Sequence, residues 1–169
     1  FEGKSILLTG ASGGLGSEFA SQLLDLGGHL ILSDVKIESL DRYKTYSGAG
    51  KVLGLIAGDI STKEGTERFL ADVKKIHPCP DMIINNAGIA QAGPFGSVPL
   101  DRWEKLMNIN LISPMRICHY FLPDFFSSSL ALVFTLSPEF KSLETVVYGP
   151  VITTSPFFNP EIISMFVSS

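Results

Sequence analysis

The sequence predicts an α/β fold with a doubly wound parallel sheet, in which helices form a layer on each face. Short apolar runs alternate with helix-length amphipathic segments through residues 1–126. Most of these runs are continuously apolar, as expected for strands that are buried on both faces. The stretches between them are long enough to hold a helix, which a parallel crossover needs, so we expect right-handed βαβ units in three layers.

The composition narrows the range of partners. Hydrophobic residues make up 45% of the 169 and charged residues 18%, which suits a largely buried sheet. The net charge of −4 and the lack of a basic run argue against nucleic acid as a partner. No apolar segment reaches the about 18 residues of a membrane span, and no charged segment precedes an apolar one at the start. We therefore expect a soluble cytoplasmic protein that does not bind membranes.

The cysteines and histidines indicate neither a disulfide framework nor a metal site. Cys79 and Cys118 lie 39 residues apart and have no C-x-x-C spacing. His29, His77 and His119 are equally scattered along the chain. We interpret all three histidines as structural and predict no bound metal.

The first strand, a glycine loop and the first helix form the stretch around which the domain is organised. Residues 6–8 are apolar, residues 9–16 read T-G-A-S-G-G-L-G, and apolar residues follow at helical spacing as far as Leu26. The first N–H groups of such a helix lack intrahelical partners, so a phosphate can bind there. A glycine-rich turn can also be purely connective.

The second strand is predicted to end in an acidic residue, which supports a ligand-binding role for the glycine loop. Residues 28–34 form an apolar run up to Asp34, which lies 18 residues after Gly16. In dinucleotide-binding folds an acid at an offset of about 20 residues hydrogen-bonds the adenosine ribose. The loop and Asp34 together indicate a dinucleotide ligand.

The remaining elements alternate in the same way. They are predicted to be, in chain order, a short polar helix over 36–46, a third strand over 51–57, a helix that ends before Pro78, a fourth strand over 82–84, a helix over 111–126, a fifth strand over 132–136 and a sixth over 144–148. Ser61 and Glu64 have the spacing of a capping box, which predicts that Ser61 is the N-cap of the helix before Pro78.

Four motifs in this order resemble the short-chain dehydrogenase/reductase family. The loop at 9–16 is similar to that family's T-G-x-x-x-G-x-G, residues 85–88 match its N-N-A-G, and Asp59 and Asn110 fall where it carries an adenine-side acid and a helix asparagine. The resemblance covers residues 4–126. It implies a Rossmann-type oxidoreductase that transfers hydride between NAD(P) and a secondary alcohol or ketone, as a homodimer or homotetramer.

We expect one domain over 1–169, with a cofactor half at 1–126 and a partial substrate half at 127–169. The resemblance implies that the cofactor is bound by Gly10, Ser12, Gly14, Leu15, Gly16, Asp34, Asp59, Ile60, Asn86, Ala87, Gly88, Val151 and Thr153. From the residues alone, Asp59 could instead cap a turn, and Asn85 and Asn86 could satisfy backbone groups at a strand end.

Asp34 favours NAD over NADP. Its carboxylate can accept hydrogen bonds from both ribose hydroxyls, and it would repel a 2′-phosphate. No arginine lies in the glycine loop to receive that phosphate. Lys36, two residues after Asp34, is the basic residue that could offset the repulsion.

The catalytic residues depart from the family pattern. The resemblance implies that Ser137 orients the substrate oxygen and that Asn110 supports a proton relay, although Ser137 could be a turn or cap residue and Asn110 a helix-end residue. No Tyr-x-x-x-Lys occurs in the sequence. Tyr148 resembles the start of the family's P-G-x-V-x-T motif rather than its acid/base tyrosine. A non-catalytic NAD-binding module is therefore the alternative to an enzyme.

The interval between Ser137 and Leu143 predicts that a segment is missing. A parallel crossover takes about a dozen residues or more, whereas seven residues lie between the predicted fifth and sixth strands. We expect a deletion or an unobserved stretch there, in the region where the family carries its tyrosine and lysine. An unbroken antiparallel hairpin would contradict this and favour the non-catalytic alternative.

Two apolar surfaces are expected outside the core. The helix over 111–126 carries apolar residues on more than one face, which predicts pairing with another copy of the chain; a fully buried helix is the alternative. Apolar residues after Thr154 predict either a substrate-loop lining or packing against the sheet: Phe157, Phe158, Ile162, Ile163 and Phe166.

Overall fold

A computed structural model of the chain describes residues 1–126, 132–136 and 143–145. Within these residues the strands are β1 (Ser5–Thr9), β2 (His29–Asp34), β3 (Lys51–Ala57), β4 (Met82–Asn85), β5 (Leu132–Leu136) and β6 (Leu143–Thr145). The α-helices are α1 (Gly14–Asp25), α2 (Lys63–Ile76), α3 (Leu100–Met107) and α4 (Ser113–Phe126). Two 3-10 helices span Ile37–Tyr43 and Phe95–Ser97, and a π-helical segment spans Asn108–Ile112.

Strand β1 lies at the centre of the sheet, whose order is β3-β2-β1-β4-β5-β6. It pairs in parallel with β2 on one side and with β4 on the other. The chain therefore changes direction across the sheet at β1, and this switch point opens a crevice at the carboxyl ends of the strands. The predicted doubly wound parallel sheet is confirmed.

Each face of the sheet has its own apolar core. Ile6 and Leu8 of β1 point into the core beneath α1, which also contains Leu23 of that helix. Leu7, the residue between them, packs on the other face with Phe69 of α2. Successive strand residues point to opposite faces, so the continuously apolar run of β1 supplies both cores at once.

The N-cap of helix α2 lies one residue later than the sequence predicted. Thr62 is its N-cap, and the Thr62 hydroxyl accepts a hydrogen bond from the Gly65 N–H over 3.0 Å. Ser61 does not form the predicted capping box, because its backbone N–H donates to Asp59 Oδ1 over 2.9 Å. The prediction that Ser61 is the N-cap is therefore wrong. Ser61 and Thr62 are both good caps, and only the position of Asp59 decides between them.

Strand β6 runs antiparallel to β5, with Phe134 paired to Thr145 and Leu136 to Leu143. The prediction of a parallel strand over 144–148 is wrong, because a short apolar run carries no information about strand direction. Antiparallel neighbours need only a short connection, so the interval after Ser137 no longer requires a missing crossover. The connection at 137–142 lies outside the described residues, and the missing segment stays a hypothesis that rests on the absent Tyr-x-x-x-Lys.

Helix α4 is buried on one side only. Ile117 and Phe121 are fully buried against the sheet, whereas Met115 is 59% exposed and Leu111, in the π-helical segment before α4, is 45% exposed. The alternative of a fully buried helix over 111–126 is therefore wrong. In the part of the chain that the structure describes, no helix is both long and apolar enough to cross a membrane.

Candidate functional site

The crevice at the carboxyl ends of β1, β2, β3 and β4 has a volume of about 440 Å³. Its walls bring together most of the predicted cofactor residues: Gly10, Ser12, Gly14, Leu15, Gly16, Asp34, Asp59, Ile60, Asn86, Ala87 and Gly88. They come from four separate stretches of the sequence, which meet because parallel strands place their carboxyl ends at one edge of the sheet.

Three of the four glycines of the loop, Gly10, Gly14 and Gly16, have different structural roles. Gly10 adopts a φ of +66°, and a Cβ there would lie 2.8 Å from the Cα atom of Ala87. A Cβ on Gly16 would lie 2.6 Å from the Asn86 amide nitrogen. Gly14 differs, since a Cβ there would meet nothing within 4 Å. Packing within the protein explains Gly10 and Gly16, and Gly14 leaves the first turn of α1 open to a ligand.

Thr9 and Asn86 join the glycine loop to the segment after β4. The Thr9 hydroxyl accepts hydrogen bonds from the backbone N–H groups of Asn86, over 3.1 Å, and Ala87, over 3.0 Å. The Asn86 side-chain amide donates to the carbonyl oxygens of Thr9 and Gly10, both over 3.0 Å. Sequence reasoning did not single out Thr9, although a buried hydroxyl at the end of a strand needs partners of this kind.

Asp34 lies at the end of β2, beside the glycine loop. Its Oδ2 atom accepts hydrogen bonds from the Ser12 N–H over 2.9 Å and from the Ser12 hydroxyl over 2.6 Å. Its Oδ1 atom accepts from the Val35 N–H over 2.8 Å. A carboxylate has about four acceptor positions, so these three donors orient the group and leave it room for a further donor.

Asp59 and Ile60 form the wall beyond β3. Hydrogen bonds from Ser61 lower the pKa of the Asp59 carboxyl and outweigh the opposing effect of burial, so this group is ionised near neutral pH. The Ile60 carbonyl oxygen accepts hydrogen bonds from the buried hydroxyls of Thr66 and Ser113. Helices α2 and α4 thereby fix the backbone of this wall.

Asn110 holds the backbone of Ile89, two residues after Ala87. Its side-chain amide donates to the Ile89 carbonyl oxygen over 2.8 Å, and its Oδ1 atom accepts from the Ile89 N–H over 2.9 Å. Asn110 lies in the π-helical segment, and its neighbour Ile109 lines the crevice. In this arrangement the side chain positions the loop after β4.

The remaining predicted site residues lie outside the described part of the chain. These are Ser137, Val151 and Thr153, together with Tyr148 and the apolar residues after Thr154. Their predicted roles stay predictions.

Residues 4–147 match the family described as short chain dehydrogenase. The chain belongs to this family. Its match covers β1 through β6, including every strand that borders the crevice, so the resemblance found in four short motifs extends over most of the sequence.

Two curated proteins are similar to large parts of the chain. An uncharacterized oxidoreductase of Bacillus subtilis, YvrD, is 29% identical over 147 residues, which are 85% of this chain and 55% of that protein. An NAD-dependent glycerol dehydrogenase of Listeria innocua is 32% identical over 108 residues, which are 64% of this chain and 42% of that protein. The chain thus spans about half the length of these relatives.

Two solved structures share the fold. A metagenomic short-chain oxidoreductase in complex with NADP has a TM-score of 0.70 and 26% identity, covering 79% of this chain and 61% of that one. The RhlG protein of Pseudomonas aeruginosa, solved as an NADP active-site complex, has a TM-score of 0.69 and 28% identity, covering 78% of this chain and 51% of that one.

Proposed function

We propose that this chain binds NAD in preference to NADP, as the cofactor half of an oxidoreductase that acts on a secondary alcohol or ketone. The observation that carries the proposal is the position of the Asp34 carboxylate, which is held by Ser12 of the glycine loop at the wall of the crevice. A carboxylate there can accept from a ribose 2′-hydroxyl and repels a 2′-phosphate. When bound, the nicotinamide would supply hydride transfer.

The crevice fits a dinucleotide. The open face at Gly14 and the N-terminus of α1 suit a pyrophosphate, because no Cβ would hold the phosphates away from the backbone N–H groups. Asp59 and Ile60 would contact the adenine side, and Asn86, Ala87 and Gly88 would border the other half of the cofactor. The two structures described above were solved with NADP, so we base the cofactor preference on the residues of this chain.

The proposed catalytic residues are Ser137 and Asn110. We expect Ser137 to orient the substrate oxygen. The side-chain amide of Asn110 forms two hydrogen bonds with the backbone of Ile89. These contacts support a role in fixing the backbone beside the reacting groups. We expect Asn110 to support the proton relay by keeping this backbone in place. We further propose that the protein is cytoplasmic and forms a homodimer or homotetramer.

A calorimetric titration of the chain with NADH and with NADPH tests the cofactor preference. We expect NADH to bind more tightly. Asp34→Ala should weaken NADH binding by about 1.5 to 3 kcal/mol, the range for a hydrogen bond to a charged group, and should strengthen NADPH binding, because the acceptor and the repulsion are lost together.

The control is Asp41→Ala, which removes an exposed carboxylate that pairs with Lys44 rather than lining the crevice. This variant should bind both dinucleotides like the unmodified chain. If the unmodified chain prefers NADPH, the role assigned to Asp34 is wrong.

A second candidate function is a non-catalytic NAD-binding module. The sequence contains no Tyr-x-x-x-Lys, and without the lysine a tyrosine with a pKa of about 10 is a poor base at neutral pH. Incubation of the chain with NADH and a panel of ketones separates the two candidates. An enzyme oxidises NADH, whereas a binding module binds NADH without consuming it.

A further inference from the structure

A chain of hydrogen bonds reaches Asp34 from the 3-10 helix that follows β2. The Arg42 guanidinium donates to the Tyr43 hydroxyl over 2.7 Å, and this hydroxyl donates to the Ala11 carbonyl oxygen over 3.2 Å. The Ser12 N–H belongs to the same peptide group as that carbonyl. It donates to Asp34 Oδ2 over 2.9 Å.

All donors in this chain point the same way, from a cation to an anion. Hydrogen bonds arranged head to tail polarise one another, so each strengthens the next. The peptide group between Ala11 and Ser12 is held at both ends, at its oxygen by Tyr43 and at its N–H by Asp34. It cannot rotate without breaking both contacts.

Tyr43 reaches the glycine loop from within the core. Its side chain is 6% exposed and packs in the core beneath α1, and the Arg42 guanidinium lies 4.8 Å from the centre of its ring. Burial fixes the position of the hydroxyl relative to the loop. Tyr43, itself a described residue, does not line the crevice, whereas Ser12 and Asp34 do.

We propose that Tyr43 is a positioning residue for the ribose-binding carboxylate. By fixing the peptide between Ala11 and Ser12, it holds the Ser12 donors on Asp34 Oδ2 and so sets the direction in which the carboxylate faces the crevice. The proposal rests on the proposed function, because the ribose of NAD is the ligand that this carboxylate would meet. Tyr43 lies outside the motifs that indicated the cofactor.

The first test needs no cofactor and uses a matched pair of variants. Tyr43→Phe keeps the ring and removes the hydroxyl. Tyr46→Phe makes the same change at a buried hydroxyl that has no hydrogen-bond partner in the described part of the chain. By NMR we expect the Ser12 amide hydrogen to exchange about tenfold faster in Tyr43→Phe, with the amides of β1 unchanged, and to keep its rate in Tyr46→Phe. An unchanged Ser12 rate in both variants overturns the proposal.

The second test measures cofactor selectivity. Tyr43→Phe should raise the Kd for NADH about tenfold and leave the Kd for NADPH nearly unchanged, because the oriented carboxylate accepts from the ribose 2′-hydroxyl of NADH, whereas NADPH carries at that position a phosphate that the carboxylate repels. A general loss of stability would weaken both dinucleotides alike. Tyr46→Phe should keep the selectivity of the unmodified chain.

The outcomes separate the inference from the proposed function. An unmodified chain that binds neither dinucleotide overturns the proposed function and the ribose role of Tyr43 with it. If the unmodified chain prefers NADH and Tyr43→Phe and Tyr46→Phe both keep that selectivity, the proposed function stands and only the positioning role of Tyr43 is wrong.

Arg42→Gln provides a variant that leaves the core intact. It removes the cation at the start of the hydrogen-bond chain while keeping Tyr43. The expected loss of NADH selectivity is about threefold, smaller than that of Tyr43→Phe, since the Tyr43 hydroxyl still reaches Ala11. A larger loss in Arg42→Gln than in Tyr43→Phe would contradict the proposed order of contacts.

Discussion

Asn86, at the centre of the candidate site, forms hydrogen bonds with other residues of the protein. Its side-chain amide donates to the carbonyl oxygens of Thr9 and Gly10, and its backbone N–H donates to the Thr9 hydroxyl. These contacts set the distance between the glycine loop and the segment after β4. A dinucleotide that lies across both segments then meets a site whose two halves are already in place.

At the residue scale, Gly10 and Gly14 should respond differently to the same substitution. Gly10→Ala places a side chain at a φ of +66° and against the backbone of Ala87, so we expect it to lower the free energy of unfolding by roughly 2 kcal/mol or more. Gly14→Ala meets nothing within 4 Å. It should keep the free energy of unfolding within about 1 kcal/mol but weaken NADH binding about tenfold, because its methyl group holds off the pyrophosphate.

Urea unfolding and NADH titration of the two variants check this contrast. A stable Gly10→Ala would show that the close approach to Ala87 is not required. NADH binding by Gly14→Ala at the unmodified affinity would place the pyrophosphate elsewhere.

At the scale of elements, Asp81 joins the starts of β1 and β4, at the opposite end of the sheet from the crevice. Its Oδ2 atom accepts hydrogen bonds from the Ser5 N–H over 2.8 Å and the Ser5 hydroxyl over 2.6 Å. Lys4 forms an ion pair with Oδ1 over 3.4 Å. Burial raises the pKa of the Asp81 carboxyl, but the contacts with Ser5 and Lys4 outweigh it, so the pKa lies below its usual range.

This lowered pKa predicts a pH-dependent contribution to stability. A carboxyl whose pKa is lower in the folded state stabilises the fold above its unfolded pKa of about 3.9, and the contribution is lost as the pH falls through the folded pKa. Asp81→Asn should therefore lower the free energy of unfolding at pH 7 by about 1 kcal/mol, a modest value because the side chain is 36% exposed. The difference from the unmodified chain should shrink below about pH 4.

Urea unfolding at pH 7 and pH 3 measures the Asp81 effect. Asp72→Asn is the control, because Asp72 forms an exposed pair with Lys75 within α2, and it should change little at either pH. A difference between Asp81→Asn and the unmodified chain that grows towards pH 3 would contradict the assignment.

At the scale of the whole molecule, one exposed apolar stripe lies on the continuous helical stretch formed by α3, the π-helical segment and α4. Met107, Leu111 and Met115 follow one another at four-residue spacing and are 47%, 45% and 59% exposed. Residues four apart share one helix face. The opposite side of α4 packs on the sheet through Ile117 and Phe121, so this stripe is a surface that the sheet leaves free for pairing.

Self-association through this stripe is the expected behaviour in solution. Leu111→Glu combined with Met115→Glu should convert the oligomer to a monomer, because it places charges in an apolar interface. Sedimentation velocity at micromolar concentration measures the change. Glu67→Gln, on the exposed face of α2, should leave the oligomer intact. A monomeric unmodified chain would rule out the predicted interface.

The sequence allowed the sheet and much of the crevice to be predicted, for reasons that are local. Continuous apolar runs indicated strands buried on both faces, and polar residues directly after those runs, such as Asp34 and Asn86, had to lie at the carboxyl edge of the sheet. The family match confirms that prediction of the fold. The roles assigned to Ser137, Val151 and Thr153 stay predictions.

Contacts between segments that are distant in the sequence could not be predicted from such local patterns. The hydrogen bond from Tyr43 to Ala11 joins residues 32 positions apart, and neither residue belongs to a periodic pattern that would pair them. The N-cap of α2 moved to Thr62 because Asp59 engages Ser61. Both outcomes depend on the positions of atoms from different elements.

By itself, the sequence determined which runs form the buried strands of the sheet, which strands end in polar groups and to which family the chain belongs, because side-chain periodicity and short motifs are properties of neighbouring residues. Only the tertiary structure decided that β6 runs antiparallel to β5 and that Tyr43, Thr9 and Asn110 hold the loops of the crevice. Strand direction and loop-to-loop hydrogen bonds are set by which elements pack together, and an apolar run is the same read in either direction.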